Sequence, residues 1–278
     1  MRTAASISLL LALLGPASAA DVSAPPPDLY SGWLKMYDLQ FDQAHTVFAQ
    51  WQQAHSTDPL GPVSDAAAYL FSELARLGAL EPELFTDDAR YQHRAKLHAD
   101  PRIQTRFEHE IGRAERLADA KLGTTPTDTG ALLAKALTFG LRADLAALIE
   151  KQDLAAVQYL KQGRPFARRL LAADAKAYDA YLGLGIENYL LSLRSAPVRA
   201  FLWLTGSQVD RDKGLQELRL TAQYGHYLEP FAKLLLAVAA LRDQDRGLAR
   251  NILTELRNRF PNNPLYASEL NRLAEQKK

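Results

Sequence analysis

Residues 236–266 read LAVAALRDQDRGLARNILTELRNRFPNNPLY. Leu236 and Ala237 sit inside an apolar run, and Ala249 follows twelve residues after Ala237. Leu253 and Leu256 come next at spacings of four and three, then Pro261. Apolar residues at threes and fours predict one buried face of an amphipathic helix. A small residue on each of two helices lets the backbones cross closely, and larger residues a turn away fill the space beside the crossing. Pro261 stops the second helix because proline lacks the donor and clashes with the preceding turn. Asn262, Asn263 and Pro264 then open another helix, with Leu265 and Tyr266 in its first turn.

The same spacing continues upstream. Gly32 and Ala44 are also twelve apart, followed by Phe48 and Trp51. Ala66, Ala67 and Ala68 begin a second unit that Ala114, Ala118 and Pro126 complete. Ala136 pairs with Gly163, Ala167 and Leu170; Tyr181, Leu184 and Gly185 pair with Gly214, Leu218 and Thr221. The three middle units carry inserts, between Ala66 and Ala114, Ala136 and Gly163, and Gly185 and Gly214. Breaks are expected at Thr57–Pro59, Gly78–Pro82, Gly123–Gly130, Gly225 and Phe260–Pro264, where Gly, Pro, Asn and Asp cluster. No alternating β-branched run marks a strand.

This pattern resembles the tetratricopeptide repeat (TPR), a helix–turn–helix of about 34 residues. The resemblance implies an all-α fold over residues 28–278: a TPR-like α-solenoid of about five helix-turn-helix units with inserts and a C-terminal capping helix. It also implies a scaffold that binds a peptide or protein on its concave face. The layout is similar to exported bacterial TPR-like proteins without assigned roles.

Composition narrows the function classes. The 278 residues are 47% hydrophobic and 23% charged, enough to bury a sizeable core. Lys and Arg number 33 against 32 Asp and Glu, and this balance argues against nucleic acid as a partner. The absence of cysteine excludes disulfides, thiolate nucleophiles and zinc–thiolate sites. Residues 1–20 read as a secretory signal peptide: Arg2, an apolar run Ile7–Leu14, a Gly15-Pro16 break and small residues Ala17-Ser18-Ala19. Residues 21–27, with Pro25-Pro26-Pro27, read as an extended leader. The mature chain is therefore expected in the periplasm or outside the cell.

Candidate chemistry is sparse. His93, His98 and His109 lie near Glu108 and Glu110, but their spacing does not match helical zinc ligation, so a solvated charged face is expected. Gly183-Leu184-Gly185 lacks the third glycine and the preceding strand of a phosphate loop, and close helix packing is expected to explain both glycines. No G-x-S-x-G elbow occurs. Neither cofactor, metal nor catalysis is expected. Trp33 and Tyr37 follow Gly32 on the side that TPR grooves expose, and Asn188 and Tyr189 take the matching place in the fourth unit. With Trp203 they are the expected partner contacts. Trp203 belongs to a short apolar insert, Ser195 to Gly206, flanked by Arg194 and Arg211. Covering the groove, docking a partner helix and dipping into a membrane interface are its three readings. The last would make the protein a membrane-associated envelope assembly factor. An enzyme with residues gathered from several helices is the remaining alternative.

Overall fold

Aspartates placed just before apolar-periodic runs start five of the helices. Asp28, Asp100, Asp128, Asp210 and Asp245 each accept a hydrogen bond from a backbone amide in the first turn of the helix that follows. Such caps satisfy amides that have no partner inside the helix. The computed structural model describes residues 28–80, 88–193 and 209–275. The expected signal peptide and leader, and the insert 195–206 with Trp203, lie outside the described residues.

The described residues form twelve α-helices and no strand. In chain order they are α1 (Leu29–Tyr37), α2 (Phe41–Ala54), α3 (Leu60–Arg76), α4 (Asp88–His93), α5 (Pro101–Thr124) and α6 (Thr129–Asp144). Then come α7 (Asp153–Ala173), α8 (Tyr181–Ser192), α9 (Arg211–Tyr224), α10 (Glu229–Arg242), α11 (Arg246–Arg259) and α12 (Pro264–Glu275). A π-helical turn, Leu145–Ile149, follows α6, and a 3-10 turn, Tyr178–Ala180, precedes α8. The helices pack in neighbouring pairs: α1 on α2, α3 on α5, α6 on α7, α8 on α9, α10 on α11, with α12 against α11.

Small residues hold the crossings. A Cβ on Gly32 would run into the Phe48 ring. One on Gly185 would stand 3.0 Å from both the Gly214 carbonyl oxygen and the Leu218 amide nitrogen. Gly214 in turn lies against the backbone of Tyr189. Ala44, Ala237 and Ala249 are buried at their crossings. The first and last pairs share their internal turn. Leu39 (φ 58°) and Gln244 (φ 60°) both take the left-handed region, right after the caps Asp38 and Asp243. Neither is glycine, so each turn carries a conformational cost on the order of 1 kcal/mol.

The start of the chain packs on its end. The Tyr37 hydroxyl donates to the Tyr227 carbonyl at 3.0 Å. Asp38 accepts from the Asn262 amide at 2.9 Å and from its side chain at 2.6 Å, while Asn263 Nδ2 donates to the Tyr37 carbonyl. Tyr37 and Phe260 ring centroids lie 5.8 Å apart, Trp33 and Tyr227 5.7 Å, Phe71 and Phe231 5.5 Å. The groove-facing exposure expected for Trp33, Met36 and Tyr37 is therefore corrected. All three are buried, because the loop before α10 and the end of α11 cover α1.

Asp179 fixes that loop. Its carboxylate accepts from three consecutive backbone amides, those of His226, Tyr227 and Leu228, at 3.0, 3.1 and 3.0 Å. Burial pushes the Asp179 pKa up, and the three amides pull against it. The chain of contacts thus runs from Asp179 through Tyr227 to Tyr37.

Candidate functional site

Closing α1 and α3 toward α10 encloses space on the inner side of α6, α7 and α8. The open space in and before this pocket is about 820 Å³ counted with the solvent at its mouth, and the part open to the centre of a water-sized sphere is about 80 Å³. Its walls are mostly apolar, with Trp33, Phe71, Leu141, Leu160, Leu184 and Phe231 among them.

Two helix glycines help to make the space. Gly140 on α6 and Gly183 on α8 both line the pocket, and a Cβ on either would meet nothing within 4 Å. A glycine inside a helix costs roughly 1 kcal/mol against alanine. Close packing explains Gly185, as expected, but not Gly183. The pair of glycines two residues apart does two different things: Gly185 admits α9, and Gly183 leaves room in the pocket.

Asp144 is the polar group without a partner in these walls. It ends α6 where the helix widens into the π turn, a distortion often found at functional sites. Donors from outside hold that turn. Arg94 Nη2 donates to the Ala147 carbonyl at 3.0 Å, and the Leu97 amide donates to that of Ile149 at 2.9 Å. No hydrogen bond or ion pair from the described residues reaches the Asp144 side chain. Burial alone pushes its pKa up to about 7. The residue is half-buried and borders the pocket's open space.

The other charges in the pocket are paired. Arg164 on α7 forms a forked ion pair with Glu187 on α8, whose side chain is 1% exposed. Forked guanidinium–carboxylate pairs fix both groups in one plane. Asn188 Nδ2 donates to Glu217 Oε2 at 2.8 Å. Burial raises the Glu217 pKa, and the Asn188 bond pulls it back.

The expected partner contacts therefore divide. Trp33, 2% exposed, donates its indole N–H to Ser64 Oγ at 2.9 Å and lines the pocket, as does Tyr37, 6% exposed. Asn188 and Tyr189 are buried in the packing of α8 against α9 and do not line the pocket. Asp144, Gly140 and Gly183 were not singled out as pocket residues by their spacing. The available signal for Asp144 was its isolation: it is the one acid between residues 129 and 149. Among the described residues, no three His, Asp or Glu side chains converge as metal ligands. No described helix is long and apolar enough to cross a membrane. Compared with known proteins, the chain matches no protein-family model and no curated protein.

Proposed function

We propose that the protein is a non-catalytic binding module that receives its ligand in the pocket on the inner side of the helix pairs. In this reading the five pairs are units of a TPR-like array, and the signal peptide at residues 1–20 sends the chain to the periplasm or beyond. The pocket is too small for a folded partner. It suits a small molecule or an extended segment of a protein that presents an apolar group. One observation carries the reading. Two helix glycines on facing elements border an apolar pocket, and neither is needed for close packing.

The neutral dye N-phenyl-1-naphthylamine tests it, since its fluorescence rises in apolar surroundings. Saturable binding to the wild-type chain is expected. The double substitution Gly140→Leu and Gly183→Leu should weaken it by about tenfold or more by filling the space, with the helical circular-dichroism signal unchanged. Equal dye binding by the filled variant would contradict the reading.

A further inference from the structure

We propose that the pocket recognises an ammonium group carried on an apolar body, the ammonium pairing with the Asp144 carboxylate and the body lying between the aromatic and leucine walls. The inference rests on the pocket-binding reading above and adds the chemistry of the ligand.

Among the described residues, Tyr37, Asp144, Arg164 and Glu187 are the titratable groups that line the pocket. Arg164 and Glu187 neutralise each other through their forked contact, and the Tyr37 hydroxyl is spent on the Tyr227 carbonyl. Ionised Asp144 therefore leaves one negative charge without a partner among the described residues of these mostly apolar walls. A lone buried carboxylate is costly, and a paired one far less so. An ammonium supplies the missing charge and up to three donors to an acceptor that has none. Trp33, Phe71 and Phe231 in the same walls add aromatic rings, a residue type that attracts cations. A carboxylate or phosphate ligand would meet Asp144 without a free cation to receive it, because Arg164 is engaged. A neutral apolar ligand would leave Asp144 as it is. Since burial already holds Asp144 near pH 7, bound ammonium should pull its pKa down, and binding should tighten as pH rises from 6 to 8.

The test compares 2-naphthylmethylamine with its neutral counterpart 2-naphthylmethanol by titration calorimetry on the full chain at pH 7.5. The amine is expected to bind about tenfold tighter or more. Asp144→Asn should erase that preference and leave the affinity for the alcohol within about twofold. Equal affinity of the two probes for the wild-type chain, or an amine preference that survives in Asp144→Asn, would overturn the ammonium proposal and leave the pocket reading standing. Failure of both probes to bind, or unchanged binding to the Gly140→Leu and Gly183→Leu variant, would overturn the pocket reading itself. The wild-type comparison of amine and alcohol does not depend on any variant folding. The peptide acetyl-Leu-Lys-Leu-amide separates the two sources of the same chemistry. Tighter binding than the amine supports the proposal with a peptide lysine as source, and weaker binding supports it with a free amine.

Discussion

The Tyr37 hydroxyl donates to the Tyr227 carbonyl at 3.0 Å, joining residues 190 positions apart. The contact ties the first helix to the loop before α10, and Tyr37 and Leu228 beside it both line the pocket. Tyr227 is itself placed by Asp179, which accepts the amides of residues 226–228. Asp179→Ala leaves three amides, one buried and two part-buried, without their acceptor and should cost about 1–3 kcal/mol in urea unfolding. Amide exchange in α1 should rise together with exchange in the 226–228 loop. If α1 kept its protection in the variant, the two segments would not be coupled as described.

Gly183 and Gly185 make a matched pair. Gly185→Ala places a Cβ 3.0 Å from backbone atoms of α9 and should destabilise by about 1–3 kcal/mol. Gly183→Ala meets open space and should stabilise by about 0.5–1 kcal/mol through helix propensity. Thermal unfolding of the two variants should move in opposite directions. Shifts of the same sign would mean that the α8–α9 crossing is misassigned.

The forked Arg164–Glu187 pair should behave as a buried pair. Glu187→Ala removes the forked carboxylate from Arg164 and should cost about 3–5 kcal/mol. The double substitution Arg164→Leu and Glu187→Leu should cost much less than the single one. Denaturant unfolding of the two variants gives the comparison. A double variant less stable than Glu187→Ala would show that the pair stabilises in its own right.

Asp144 gives stability a pH dependence of defined sign. Its pKa lies at about 7 in the folded chain, against 3.8 for the free carboxyl. The folded state therefore holds a proton that the unfolded state has lost between about pH 4 and 7. Stability should fall as pH rises through that window and level off above it. The contribution is on the order of 2–4 kcal/mol across the window. The raised pKa values of Asp179 and Glu217 act in the same direction, so the difference between wild type and Asp144→Asn isolates Asp144. A pH profile unchanged by Asp144→Asn would contradict its burial as a lone carboxyl.

Local features of the fold were legible in the sequence. The breaks expected at Thr57–Pro59, Gly123–Gly130, Gly225 and Phe260–Pro264 all separate helices. The small residues at twelve-residue spacing, Gly32 with Ala44 and Ala237 with Ala249, lie buried in paired helices. These signals depend on periodicity within a helix and on turn chemistry, both local. The turns at Leu39 and Gln244 were hidden because each places an ordinary residue in the left-handed region, where glycine would have marked it. The closure of α1 on Tyr227, Phe260 and Asn262 was hidden for a different reason. It depends on contacts between residues about 190 to 226 positions apart, which no local spacing records. Trp33 and Tyr37 were expected on an exposed groove side of α1, and that side is instead buried, with both residues lining the pocket. Asp144 was not singled out, since one acid in an apolar stretch carries no motif, and its place beside the walls that α7, α8 and α10 contribute is visible only in the fold.

The central claim is that the enclosed pocket is where this protein binds. Methyl NMR of leucine-labelled full chain, titrated with 2-naphthylmethanol, tests it most directly. Leu137, Leu141, Leu160 and Leu184 line the pocket, whereas Leu154 is 75% and Leu248 45% exposed on the outside. The account predicts shifts concentrated on the four lining leucines and negligible ones at Leu154 and Leu248. Shifts centred on Leu154 or Leu248, with the lining leucines unmoved, would contradict it.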